Sequence, residues 1–228
     1  YLEDNGKIET AGGRRPNVFG LASDVLYFVG VEVRRRRLEM VLMSFQGQII
    51  CKKNEIPYVL ENSLESLEYV CREIELFIES CKVDKAKIAG AGISLTGRVD
   101  ANEGYSYTYF NFYEKPLTEV LGERLGLPVY IENDSRAMMF AEKNFGVVKD
   151  EKNVLFLNLG RGIGVGTMFD GKLYYGKTGF AGEFGHIPLF DNELMCHCGK
   201  KGCLETEASG IALEKMFIER LKAGETSI

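Results

Sequence analysis

Apolar and polar positions along the chain follow two periods, and the switches between them mark its elements. Residues 26–33, LYFVGVEV, form a β-branched and aromatic run that predicts a buried strand. Residues 38–45, LEMVLMSF, predict a second strand, and FQGQII at 45–50 predicts a glycine-containing hairpin into a third. The period then lengthens. Leu64, Leu67, Val70, Cys71, Ile74, Ile78 and Cys81 fall at helical spacing behind Asn62 or Ser63 as a cap. KIAGAGISL at 87–95 predicts a strand ending in the turn Thr96-Gly97. A tyrosine-rich stretch (Tyr105 to Tyr113), a short helix near 117–125 and a strand at 129–131 follow. Asp134 opens a helix to about Phe145. NVLFLNL at 153–159 predicts a buried strand, followed by a glycine-rich turn and a hairpin around Asp170-Gly171. A last amphipathic helix is predicted from about Ile211.

Three strands, a helix, then alternating strands and helices predict an α/β architecture. A second strand set begins near Asn153 and resembles the opening of the first, so two lobes are expected, at 21–134 and 135–228. The second lobe reads as incomplete, because only one helix follows its strands.

Bulk composition narrows the function. The 228 residues carry a net charge of -5, so the stretch as a whole is no electrostatic nucleic-acid binder. DNA contact would need a local basic element or chain outside this sequence. No run of about 18 apolar residues exists to cross a membrane. The polar start, Tyr1-Leu2-Glu3-Asp4, is unlike a secretion signal and lacks Met, which reads as a fragment of a cytoplasmic protein. Cys51, Cys71 and Cys81 sit in periodic segments as small core residues, whereas Cys196, Cys198 and Cys203 are bunched. Bunched thiols in such a chain point to a metal rather than to disulfides.

Four motifs can carry chemistry. The first is His186-x9-Cys196-x-Cys198-x4-Cys203, a four-ligand set for a closed structural zinc site, with His197 as the competing imidazole. Three free thiols in a loop are the alternative. The second is the glycine-rich turn Gly160 to Gly166, which permits a close backbone approach to a ligand or simply makes a hairpin. The third is Glu132-Asn133-Asp134, where a strand gives way to a helix. There Asp134 caps the helix, or Asn133 and Asp134 face a ligand, or both. The fourth is Gly182-Glu183-Phe184-Gly185-His186 together with Glu205, whose carboxylates and imidazole suit sugar hydroxyls. If zinc holds one nitrogen of His186, the other is left for a hydroxyl.

Together these residues resemble the ROK family (repressors, open reading frames and sugar kinases). Its glycine-rich turn, Gly-Glu-x-Gly-His and Cys-x-Cys-Gly-x-x-Gly-Cys-x-Glu read here GRGIGVG, GEFGH and CHCGKKGCLE, with Asn133-Asp134 as its Asn-Asp pair and SLTGRVD at 94–100 as its turn at the sugar cleft. The resemblance covers roughly residues 8–213. It implies an actin-like, ribonuclease H-like sugar-kinase fold with a zinc loop and a hexose or hexose derivative between the lobes. Asn133, Asp134, Glu183, His186 and Glu205 would bind that sugar, with Asn111 as a further candidate. In the kinases of the family the matching Asp is the catalytic base, which would be Asp134. Gly160, Gly162 and Gly164 would then meet ATP with Mg²⁺ as cofactor.

One departure decides between the branches of the family. The kinases carry Asp-x-Gly-Gly-Thr after the first strand, where the backbone meets ATP phosphates. This chain has Glu32-Val33-Arg34-Arg35-Arg36-Arg37 there, and Arg161 where kinases usually have Thr. Thr10-Ala11-Gly12-Gly13-Arg14-Arg15-Pro16 also resembles the wing of the winged helix-turn-helix domain in the family's regulators. Residues 1–20 would then be a wing and linker, with Gly13, Arg14 and Arg15 reaching DNA. The resemblance therefore implies a sugar sensor in a dimeric or tetrameric repressor, with an ATP-dependent hexose kinase as the alternative and a purely structural module as a third.

Overall fold

The structure, a computed structural model, describes residues 2–9, 12, 15–22 and 24–227. It divides into two compact units, Tyr1–Glu132 and Asn133–Ile228.

The first unit opens with an antiparallel pair, β1 (Leu2–Lys7) and β2 (Asn17–Leu21), in which Leu2 faces Leu21 and Asp4 faces Phe19. The apolar–polar pattern of the sequence marks no strand before residue 26, so this pair was not among the elements it predicts. LEDNGK is exposed along its length, so no alternation marks it as a strand. The amide of Ile8 donates to the carbonyl of Pro16 at 3.2 Å, one step beyond the last paired residues.

The main sheet of this unit contains β3 (Tyr27–Val33), β4 (Arg37–Ser44), β5 (Ile49–Pro57), β6 (Ile88–Leu95) and β9 (Val129–Asn133), in the order β5-β4-β3-β6-β9. The first three are antiparallel, and β6 lies parallel to β3 after a crossover through α1 (Leu64–Ser80). A small pair, β7 (Val99–Asp100) with β8 (Tyr105–Ser106), and the helix α2 (Leu117–Leu125) lie between β6 and β9. Ser63 is the cap of α1, its side chain accepting from the amide of Ser66 at 3.2 Å. Alternate residues of the strands (Val29, Val31, Val33, Leu38, Met40, Leu42) share one core with Leu67, Ile74 and Phe77 of α1 and Leu121 of α2. Cys71 and Cys81 are buried in that core and Cys51 packs against it.

The second unit begins with α3 (Asp134–Phe145) and continues into an antiparallel meander, β10 (Val154–Leu159), β11 (Ile163–Phe169) and β12 (Lys172–Leu173). The meander repeats the opening arrangement of β3, β4 and β5, as the duplication in the sequence suggests. Asp170 at φ 48° and Gly171 at φ 75° make the tight β11–β12 turn, both in the left-handed region that a two-residue hairpin favours. Two helices, α4 (Leu204–Ala208) and α5 (Gly210–Lys222), follow the cysteine loop. The first of these was not expected.

NVLFLNL is not the buried strand its composition suggests. Leu155, Leu157 and Leu159 are 68%, 46% and 66% exposed, whereas Val154, Phe156 and Asn158 on the other face are half-buried. The α3 side of the meander is packed, and apolar composition cannot say whether a strand has one covered face or two. The final helix behaves likewise, with Leu213, Met216, Phe217 and Leu221 exposed and only Ala212 buried.

Ile74→Ala is expected to destabilise the chain by about 2–5 kcal/mol, because Ile74 is fully buried. Leu155→Ala is expected to change stability by about 0.5 kcal/mol or less. Urea unfolding of both variants checks the contrast.

Candidate functional site

All five principal sugar-binding candidates, and all four metal-ligand candidates, belong to the second unit. They gather there because β11 is approached unusually closely from several directions. A Cβ at Gly164 would lie 2.0 Å from the Ser135 hydroxyl, and one at Gly166 would lie 2.9 Å from the Ser135 carbonyl, so only glycines let α3 seat on this strand. A Cβ at Gly182 would lie 2.1 Å from the Val165 carbonyl, which brings the loop bearing Glu183 and His186 onto β11. At Gly162 the nearest atom is a Glu205 carboxylate oxygen, 2.3 Å from the position a Cβ would take.

At the start of α3 the helix cap is Asn133, not Asp134. The Asn133 side-chain oxygen accepts from the amide of Arg136 at 3.1 Å, because Asn133 is extended while Asp134 is already helical. Asp134 is thereby released from capping. Its Oδ1 accepts from the Ser135 amide (2.7 Å), the Asn133 side-chain amide (3.1 Å) and the Ser135 hydroxyl (3.3 Å). Asn158 on β10 donates in turn to the Ser135 hydroxyl at 3.2 Å. Ser135 and Asn158 were missed by motif reading. The available signal was a polar Asn at an inward position of an otherwise apolar strand.

The cysteine loop closes on itself through the amide of Cys196, which donates to the Lys200 carbonyl at 2.8 Å, and that of Gly199, which donates to the Cys196 carbonyl at 3.0 Å. Gly202, at φ 69°, approaches the Phe190 carbonyl so closely that a Cβ would lie 1.9 Å from it. One donor atom each from His186, Cys196, Cys198 and Cys203 lies within 4.8 Å of the others. Nδ1 of His186 is 3.5 Å from Cys196 Sγ, and the Cys198 and Cys203 sulfurs are 3.6 Å apart. A tetrahedral zinc with its usual bonds to sulfur and nitrogen has edges of about 3.5–3.8 Å, so the donor set fits that ion in chemistry and spacing. Among the described residues a second group, His186, His197 and Glu205, is also close enough to share an ion.

Burial acts on all four side chains of the first group. Burial pushes the Cys196 thiol up to about 12 and raises Cys203 as well, so these sulfurs need a cation to ionise. Burial also raises Cys198, but the Lys200 amide and the neighbouring thiols outweigh it and the net shift is downward. Burial lowers His186 against the pull of Glu205 and Glu183, which keeps its imidazole in the neutral form that ligates. With Nδ1 toward the sulfurs, Nε2 points to the Glu183 carboxylate at 3.9 Å. Burial would raise Glu205, yet its carboxylate is lowered overall, because His197 and the Ile163 amide hold it at 3.2 and 2.9 Å. His197 therefore supports Glu205 in this arrangement.

The remaining candidates fall elsewhere. Asn111, in the first unit, is tied by its side chain to Asn62 at 2.6 Å and to the Tyr107 carbonyl at 3.0 Å, which fixes its own loop. Gly160 and Arg161 direct their carbonyls to the first amides of α5, Gly210 and Ile211, at 2.9 and 3.2 Å. Arg15 is exposed beside β2, and Gly13 and Arg14 lie outside the described residues. In the arginine turn, Arg34 pairs with Glu32 at 2.7 Å and Arg37 with Glu39 at 2.7 Å.

A family model described as "ROK family" matches residues 28–227. The xylose repressor of Caldicellulosiruptor bescii is 30% identical over 226 residues, which is 98% of this chain and 57% of that protein. The glucokinase of Thermotoga maritima is 32% identical over 206 residues, 89% of this chain and 63% of that protein. A crystal structure of a ROK family transcriptional regulator, described as a homologue of the E. coli MLC protein, superposes with a TM-score of 0.75 at 29% identity. It covers 93% of this chain and 54% of that one. The chain thus spans little more than half the length of the repressor it matches.

Gly202→Ala is expected to open the cysteine loop, because the left-handed backbone and the Phe190 carbonyl both exclude a side chain. Titration with a thiol reagent should show Cys196 and Cys203 reacting at least about tenfold faster than in the parent, the scale of a lost kcal/mol or more.

Proposed function

The chain belongs to the ROK family, and on that premise we propose that it is the sugar-sensing part of a bacterial transcription regulator. The observation that carries this reading is the turn between β3 and β4. Where the kinases of the family place glycines against ATP phosphates, this chain places Arg34 to Arg37. The Arg34 amide is taken by the Arg37 carbonyl at 3.0 Å, and the carbonyls of Arg35 and Arg36 accept from Leu60 and Tyr58 at 3.0 and 3.2 Å. A turn built this way is held shut by its own backbone, and side chains replace the bare glycine amides that cradle phosphate. The antiparallel pairing of β1 with β2, which flank the basic stretch 10–16 in sequence, supports reading this part as a wing, and the similarity to a xylose repressor supports a regulator.

In this reading Asn133, Asp134, Glu183, His186 and Glu205 bind the hydroxyls of a hexose or a related sugar. Carboxylates and a neutral imidazole supply acceptors and one donor, as a polyol needs. His186, Cys196, Cys198 and Cys203 hold a structural zinc, which fixes the imidazole by its Nδ1 side. Glu183 then faces Nε2, and the two act on the ligand as a pair. Asn133 turns the strand into the helix, and Asp134 presents a carboxylate already oriented by three donors. The sensor acts on DNA through a domain that includes the β1–β2 hairpin, in a dimer or tetramer.

A kinase is the second reading. It is favoured by the motif match of Asp134 to the base of the family's kinases and by the glucokinase relative.

Two measurements test these assignments on the full-length protein. Incubation with Mg-ATP and glucose, xylose or N-acetylglucosamine is expected to give no sugar phosphate, while one sugar raises the melting temperature. Turnover of about 1 per second or more would make the protein a kinase. Zinc analysis is expected to find one ion per chain and its loss in Cys198→Ser, whereas full zinc in that variant would remove Cys198 from the ligand set.

A further inference from the structure

Arg136, two residues beyond Asp134 on α3, is a cation only 3% exposed. Burying a guanidinium is costly unless its donors are met. Its Nη1 donates to the Gly179 carbonyl at 2.8 Å, and its Cζ lies 5.2 Å from the centre of the Tyr175 ring. Both contacts go to one loop, residues 174–183. That loop bends through three left-handed glycines, Gly176 (φ 72°), Gly179 (φ 78°) and Gly182 (φ 97°), and it delivers Glu183 to the site. Glycines give such a segment little conformational preference of its own, so its shape has to be imposed from outside. Arginine suits the task, with a planar face for the tyrosine and edge donors for the carbonyl.

We propose that Arg136 is the positioning residue that clasps loop 174–183 to α3, so that Glu183 is set in place relative to Asp134 before any sugar arrives. The clasp deepens the sugar-sensing reading, on which its effect on affinity rests. Its effect on the loop is independent of that reading. Pre-ordering of this kind raises affinity because the loop's entropy is already spent.

The test is hydrogen exchange on the zinc-loaded full-length protein with Arg136→Met, which keeps the length and apolar stem and removes the donors. Amides of residues 176–183 are expected to exchange roughly tenfold faster or more, the scale of one lost charge-assisted hydrogen bond. Those in the second half of α3 should keep parental rates, and zinc per chain should be unchanged. The dissociation constant for the stabilising sugar should rise about tenfold, with Arg136→Lys intermediate because it retains a donor. Unchanged exchange in 176–183 would overturn the proposal, as would faster exchange spread equally over α3. If Arg136→Met does not fold, Tyr175→Leu is judged by the same exchange criterion. If the parent protein binds none of the sugars, the sensing reading falls, and loop exchange alone still decides the clasp.

Discussion

The close seating of β11 is the constraint on which the candidate site depends. Ser135 and Met139 of α3 press on one side of the strand at Gly164 and Gly166, and the loop bearing Glu183 and His186 meets its carbonyls at Val165 and Ile163. Glu205 reaches the first amide of the strand, that of Ile163. Three segments far apart in sequence thus converge on one seven-residue strand. A single methyl group at these glycines would drive them apart by more than the tolerance of a hydrogen bond. Glycines that look like a phosphate loop in the sequence have packing work at three of their positions, whatever else they do.

Two of the candidate carboxylates in this unit, Asp134 and Glu205, have a defined set of donors. Asp134 is oriented by its neighbours on α3 and, through Ser135, by Asn158 of β10. Glu205 is held by a backbone amide and by His197. Both carboxylates are therefore fixed in orientation by groups of their own unit. On the side of the cysteine loop, the orientation that turns His186 Nδ1 to the Cys196 sulfur turns Nε2 to Glu183. The metal-ligand candidates and the sugar-binding candidates thus share one imidazole, that of His186.

In the first unit the turn between β3 and β4 is closed by its own surroundings. Two of the four consecutive arginines, Arg34 and Arg37, are occupied by Glu32 and Glu39 on the flanking strands. The backbone of the turn is occupied by the segment that leads into α1. Repulsion among the guanidiniums is thereby relieved locally, at exposed pairs worth little individually. The turn is a closed structural element of the sheet.

The sequence by itself determined the strands and helices with strong periodicity, the α/β class, and the identity of the metal-ligand candidates. These follow from local rules: side-chain period, turn chemistry, and ligand types at a spacing that a short loop can close. It also led to Asn133, Asp134, Glu183, His186 and Glu205 as a group, through motif resemblance. It did not reveal the β1–β2 pair, whose residues are exposed along the first strand, nor that NVLFLNL keeps one apolar face uncovered. Only the tertiary structure decided that Asn133 rather than Asp134 caps α3, because the cap depends on where the strand's extended backbone ends. It alone gave His197 to Glu205, brought Asn158 to Ser135, and buried Arg136 against Tyr175 and Gly179. Asn158 lies 23 residues from Ser135 and Gly179 lies 43 from Arg136, while His197 meets Glu205 across a loop without regular structure, and no local period encodes such a meeting. It is fixed by which backbones can touch, and here that is settled by the absence of side chains at a few glycines.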